Sequence, residues 1–303
     1  MTTIASIVTD GGGLLHKRDL VRAGARDRHL TAAVRKGTVR RPRRGWYSTW
    51  PPDDPRFIAV QVGGRLTGLA ALTSLLPWRW SRTPPQIVVS VPRNAARLRH
   101  RPGVRVVYDP PAVQSRGTTW RVDVVDAFAR AVLEAPFEEA VALVDWAMRT
   151  FALTRGQLLA AVGRLPADAR RILSWADPRC DTFPESIART RLRLRGHAVR
   201  SQGPLPNGQR IDLVVDRRIG LEVDGREHHA LSFEADRRKD LTILNAGLVP
   251  VRVTVAMLRE SWTMVQTALE AVVPPGRPAR PRPRFVPIRR SGPRRRREWW
   301  LPR

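Results

Sequence analysis

Apolar residues recur along this chain with two rhythms, and the change from one to the other marks out its segments. At the start, Ile4, Ile7 and Val8 sit at helical spacing, Gly11-Gly12-Gly13 breaks the run, and a second helical stretch begins near His16 and reaches Gly24. A third helix is predicted from Asp27, as its N-cap, through Leu30, Ala33 and Val34 to a stop at Gly37. Val39 to Arg41 and Gly45 to Ser48 then read as two short strands around Pro42-Arg43-Arg44. In residues 51–165 the runs Ile87 to Val91 and Val104 to Tyr108 are β-branched and strand-like, whereas Leu66 to Leu76 and Asp123 to Arg149 carry the helical period. Pro51-Pro52 and Pro84-Pro85 mark loops.

Residues 180–273 alternate most clearly. A helix with Glu185 near its start continues through Ile187, Ala188, Arg191 and Leu192 and ends at Gly196. After a turn from Gly203 to Gly208, strand Ile211 to Val215 places Asp212 opposite the face of Ile211 and Leu213. Arg217-Arg218 turn the chain into strand Ile219 to Gly225, whose period of two sets Glu222 and Asp224 on one face. A helix from Phe233 to Ala246, closed by Gly247, leads to a last strand, Leu248 to Thr254, which Pro250 assigns to an edge or a bulge. The expected class is α/β overall: a winged helix-turn-helix in residues 1–50, an α+β middle domain in 51–165, and in 180–273 an α/β domain with a mixed sheet flanked by helices. Residues 274–303 alternate Pro and Arg and lack the apolar content for a core, so a flexible tail is expected.

Charge adds a partner to this outline. Among 303 residues, 54 Lys and Arg oppose 27 Asp and Glu, a formal +27. Eleven arginines against Glu298 give the tail from Arg277 a net +10, and eleven basic residues against Asp10, Asp19 and Asp27 give residues 1–50 a net +8. Lysine and arginine clusters of this kind neutralise phosphates and release counterions, so DNA is the expected partner. On the winged-helix plan the helix from Asp27 to Lys36, carrying Arg35 and Lys36, enters the major groove while Arg40, Arg41, Arg43 and Arg44 meet flanking backbone. One cysteine, Cys180, excludes an intramolecular disulfide framework and a cysteine-rich zinc site. The apolar runs are too short for a membrane span and the first twenty residues do not read as a signal peptide, so a cytoplasmic location is expected.

The few acids carry the sharper chemistry. Adjacent strands are about 5 Å apart, so Asp212 can meet Glu222 and Asp224, and three carboxylates forced together repel one another. A hard divalent cation, Mg2+ or Mn2+, resolves that repulsion and can activate water beside a phosphodiester. Glu185 is a candidate fourth acid, His228 and His229 are placed to orient water or accept its proton, and Arg237, Arg238 and Lys239 on the following helix can hold phosphate. Asp236 and Asp240 share a helix face and are expected to orient the histidines or arginines.

Two resemblances bear on these segments. Leu14 to Leu20, Gly24, Val34-Arg35-Lys36-Gly37 and Arg44-Gly45-Trp46-Tyr47 resemble the N-terminal winged-helix domain of type IV abortive-infection antitoxins. That resemblance implies DNA binding in autoregulation and a cognate toxin as partner. Pro184-Glu185-Ser186, Arg210-Ile211-Asp212, Leu221 to Gly225, His229, Asp236-Arg237-Arg238 and Leu244 to Gly247 resemble the uncharacterised family similar to very-short-patch mismatch-repair endonucleases, within the PD-(D/E)XK nucleases. It implies a restriction-endonuclease-like fold and Mg-dependent DNA cleavage in repair or phage defence, with Asp212 as metal aspartate and His229 as an active-site histidine. Asp224 stands where that nuclease motif has lysine. Either Arg238, Lys239 or a histidine supplies the missing charge from the next helix, or the domain is a degenerate nuclease fold within a non-catalytic DNA-binding regulator.

Overall fold

The computed structural model describes residues 3–73, 85–150, 152–224 and 233–276. Helices and three sheets mix throughout these residues, an α/β architecture that divides into two compact units, Met1–Ala131 and Val132–Arg303. No helix among the described residues is long and apolar enough to cross a membrane.

The first unit opens with α1 (Ile4–Asp10), β1 (Leu14–His16), α2 (Lys17–Arg22), α3 (Asp27–Arg35) and β2 (Trp46–Ser48). Thr3 and Ser6 form a reciprocal capping box on α1, and Val8, Leu20, Leu30, Ala33, Val39 and Tyr47 bury one shared core. Three local expectations change here. Leu14 to His16 is a strand, antiparallel to β2 with Leu14 opposite Ser48, so α2 starts one residue later than His16, which caps it. Val39 to Arg41 supplies only a single bridge, Arg40 to Ser48, because Pro42 ends the donor row. Arg26 rather than Asp27 is the N-cap of α3; Asp27 occupies the first turn and binds Lys17 Nζ at 2.7 Å.

The unit continues through α4 (Pro55–Val62), β3 (Arg65–Thr67), α5 (Gly68–Leu72), β4 (Ile87–Pro92), β5 (Val104–Asp109), α6 (Pro111–Gln114) and α7 (Val124–Glu134), the last spanning the division. β3 pairs antiparallel with β4, which pairs parallel with β5. The predicted helix from Leu66 therefore begins as sheet: Leu66 lies opposite Val89, and only Gly68–Leu72 is helical before the described residues end at Thr73. The single helix expected from Asp123 to Arg149 is two, because Pro136 disfavours helical backbone at the preceding residue.

In the second unit come α8 (Phe137–Thr150), α9 (Arg155–Gly163), a 3-10 helix (Ala169–Ser174), α10 (Phe183–Arg195), β6 (Val199–Pro204), β7 (Arg210–Val215), β8 (Ile219–Asp224), α11 (Phe233–Asn245), β9 (Val249–Thr254), α12 (Val255–Glu260) and α13 (Trp262–Val272). The sheet order is β6-β7-β8-β9, antiparallel except for the parallel β8–β9 pair, which the α11 crossover makes possible. Pro250, lacking an N–H, sits on the edge strand β9, whereas β6 was not anticipated as a strand. On one face of β7 and β8, Leu213, Val215, Ile219 and Leu221 are all fully buried. On the other, Gly220 lets α11 come close: a Cβ there would stand 2.7 Å from Ile243 Cγ2.

α10 ends at Gly196 in the left-handed conformation (φ 98°) and is fixed at its centre by a buried ion pair. Arg189 Nη2 lies 2.6 Å from Asp145 Oδ2 on α8, with both side chains at most 2% exposed. Asp145 Oδ1 accepts the Asp177 N–H at 2.6 Å. Burial pushes the Asp145 carboxyl up to about 6 against the opposing pull of Arg189, so desolvation outweighs attraction. Asp145→Asn is expected to destabilise the protein by about 3–5 kcal/mol in urea unfolding, because it strands a buried guanidinium, and Asp145→Leu with Arg189→Met by much less. A single-variant loss below about 1 kcal/mol would show that the pair does not anchor α10.

Candidate functional site

The site forms where β7 and β8 part. Their ladder runs from Val215 opposite Ile219 to Leu213 opposite Leu221 and stops there. At the next position each strand's side chain satisfies the other's backbone: Asp212 Oδ2 accepts the Val223 N–H at 2.8 Å, and Glu222 Oε1 accepts the Asp212 N–H at 3.3 Å. Both carboxylates are thereby fixed at the open end of the sheet, Glu222 only 5% exposed. Lys239 reaches down from α11 to Glu222 Oε2 at 2.5 Å. It is turned toward this carboxylate and partly buried.

Glu185 approaches from the first turn of α10. Its buried carboxylate accepts hydrogen bonds from Thr182 Oγ1 at 2.7 Å, the Asp181 N–H at 2.9 Å and Gln202 Nε2 at 3.3 Å. Thr182 in turn caps the helix through the Glu185 N–H, so Glu185 serves the helix start and the acidic cluster together. Burial, then the Glu185 charge, push the Asp212 carboxyl from 3.8 up to about 6, with the Val223 N–H and Lys239 opposing. Glu222 is raised by burial and then by Asp212, and Glu185 by burial and by Asp181. These shifts share a cause: carboxylates crowded in a place with little water.

Asp224 is placed differently. Arg252, opposite Glu222 in the β8–β9 register, lies 3.2 Å from Asp224 Oδ1, 3.3 Å from Asp236 Oδ1 and 2.8 Å from Asp240 Oδ1. Three carboxylates thus converge on one half-buried guanidinium, and Asp236 and Asp240 orient an arginine that strand alternation alone had not singled out. An arginine within the apolar run Val249, Val251, Val253 was the available signal. Gln202 was also missed; its sequence context carries no comparable mark. Arg237 is exposed and pairs with Asp240 at 3.3 Å, and exposed Arg238 lies 3.6 Å from Glu234. His228 and His229 lie outside the described residues.

In the first unit, Arg35, Lys36, Arg40, Arg41 and Arg44 are exposed. Arg43 is half-buried, its guanidinium against Gly63, which removes it from the exposed set.

Among the described residues no group of three or more His, Cys, Asp and Glu side chains is arranged to hold a metal ion. The pair Asp212 and Glu222 still suits Mg2+ or Mn2+, which prefer carboxylate oxygen, use one or two protein carboxylates and retain several waters. Their raised proton affinity comes first from burial and then from neighbouring carboxylate charge, Glu185 for Asp212 and Asp212 for Glu222. No protein-family model matches this chain, and no curated protein matches it.

The Asp212 shift fixes a pH dependence. Between about pH 4 and 6 the folded protein binds more protons at this carboxyl than the unfolded chain, so the contribution of Asp212 to metal-free stability falls as pH rises through that window and levels off above it. A divalent ion competes with those protons, so Mn2+ should raise the melting temperature at about pH 7.5 and scarcely at about pH 5. Thermal melts at both values measure this; equal stabilisation at both would exclude the carboxylates as the binding groups.

Proposed function

We propose that this chain is a DNA-binding protein whose second unit carries a divalent-metal-dependent endonuclease domain of the restriction-endonuclease-like kind. The observation that supports this most is the pairing of Asp212 and Glu222 at the end of a sheet, with Lys239 against Glu222 and Glu185 beside them. Asp212 and Glu222 hold Mg2+ or Mn2+ through oxygen. A bound ion would supply Lewis acidity toward a phosphate oxygen and lower the pKa of a bound water. Lys239 provides from α11 the positive charge that Asp224 replaces in the strand motif. Glu185 accepts a hydrogen bond from the attacking water, and exposed Arg237 and Arg238 steady the DNA backbone.

The first unit supplies duplex docking in this proposal. Three short helices packed on a two-stranded sheet, with Arg35, Lys36, Arg40, Arg41 and Arg44 exposed, suit a winged helix-turn-helix. A second reading is favoured by a specific observation: Lys239 and Arg252 already neutralise Glu222 and Asp224 without a metal. On that reading the chain is a non-catalytic DNA-binding regulator of the antitoxin type, with a toxin as protein partner.

Incubating the purified protein with supercoiled plasmid and Mg2+ or Mn2+ separates the two. Nicking is expected, and Asp212→Ala or Glu222→Gln should slow it by about a hundredfold or more. Wild-type protein that leaves supercoiled, mismatched, nicked and single-stranded DNA intact, and binds no Mn2+ in calorimetry, would favour the regulator. For duplex docking, filter binding across salt should show the log–log slope falling by about 1 for each of Arg40 and Arg41 changed to Ala. An unchanged slope would remove both from the phosphate contacts.

A further inference from the structure

Gln202 occupies an uncommon backbone state in the middle of a strand. Its φ is 53°, in the left-handed region, yet β6 and β7 keep one register on both sides of it, Ser201 opposite Leu213 and Gly203 opposite Ile211. That register sets Gln202 across from Asp212, the place between those pairs that the ladder skips. Left-handed backbone is costly for a residue with a Cβ, and glycine, asparagine and aspartate are the residues that accept it readily. The neighbouring Gly203 answers a different need, close packing: a Cβ there would collide with Val214 Cγ2.

What the strained residue does is reach Glu185, seventeen positions earlier, through Nε2 to Oε2 at 3.3 Å. The other two donors to that carboxylate, the Asp181 N–H and Thr182 Oγ1, belong to the same helix start. Gln202 is the donor that comes from the sheet, and so ties the orientation of Glu185 to the strand bearing Asp212. Strain held at a residue whose side chain reaches a carboxylate of the acidic cluster points to a role in the site.

We propose that Gln202 is a positioning residue: its amide holds the Glu185 carboxylate at the angle from which it receives a hydrogen bond from the water attacking the phosphodiester. This rests on the endonuclease reading above. Gln202 acts through Glu185.

Full-length Gln202→Gly and Gln202→Asn both accept the left-handed backbone, and neither reaches Glu185 as glutamine does. The measurements are melting temperature, Mn2+ binding by calorimetry, and plasmid nicking at saturating Mn2+ and DNA. Gln202→Gly is expected to melt at or above the wild-type temperature while its saturated nicking rate falls about ten- to a hundredfold, with the DNA concentration for half-maximal rate unchanged. Gln202→Asn should share the rate loss. In a Glu185→Gln background, Gln202→Gly should cost no further rate, since the two residues act as one unit.

Three outcomes would overturn the proposal: wild-type nicking by Gln202→Gly, a melting temperature for that variant well below wild type, or a full additional loss on top of Glu185→Gln. Any of these with an active wild-type protein removes Gln202 alone. A wild type that neither binds Mn2+ nor nicks DNA removes the endonuclease reading, and this proposal with it.

Discussion

The parting of β7 and β8 is the constraint around which the second unit is organised. A ladder that stops leaves backbone N–H groups to be satisfied, and burial makes an unpaired one costly. Here the donors at Asp212 and Val223 are met by the carboxylates of Glu222 and Asp212. The two acids therefore cannot swing apart to relieve their repulsion without unmaking hydrogen bonds of the sheet itself. The remaining elements respond to that fixed negative charge. α11 brings Lys239 to Glu222, β9 brings Arg252 to Asp224, and the start of α10 adds Glu185 under its own set of donors.

Each of these contributions depends on how its element is anchored. Arg189 and Asp145 join α10 to α8 out of contact with water, and Glu185 lies one helical turn before Arg189 on the same side of the helix. Desolvation raises the proton affinity of Asp145 even beside a guanidinium, so the pair fixes a position more than it adds stability. The acids at Asp145 and around Arg252 are met by arginine, whereas Asp212 is met mainly by backbone.

Much of this arrangement was legible in the sequence because strand alternation is insensitive to context. A period of two set Glu222 with Asp224 before any partner strand was known, whereas Ile211 packs with Ile243 and Val214 on the Gly220 side and not with Leu213. Gly196 and Gly247 ended their helices where expected. The losses have equally physical causes. Leu14 to His16 and Arg65 to Thr67 are three-residue strands, too short for a period to show, and they exist because a distant strand pairs with them. Pro136 divides what a continuous apolar pattern presents as one helix. Which cation meets which acid depends on register and helix approach, so Lys239 on Glu222 and Arg252 on Asp224 could be named as basic residues without being assigned to their partners.

Gly220 carries a consequence out of proportion to its size. Because nothing projects from it, Ile243 rests almost on the sheet, and Lys239 lies one turn earlier on the same helix. The helix behaves as a beam seated on a fulcrum: its contact with the strand sets the height at which the ammonium group hangs over Glu222. A single added methyl at 220 would raise that seat by a fraction of an ångström, and the electrostatics of the acidic pair would shift although no charged residue had been altered. The tolerance of the site to change is thus set partly by an uncharged contact, at a residue with no side chain.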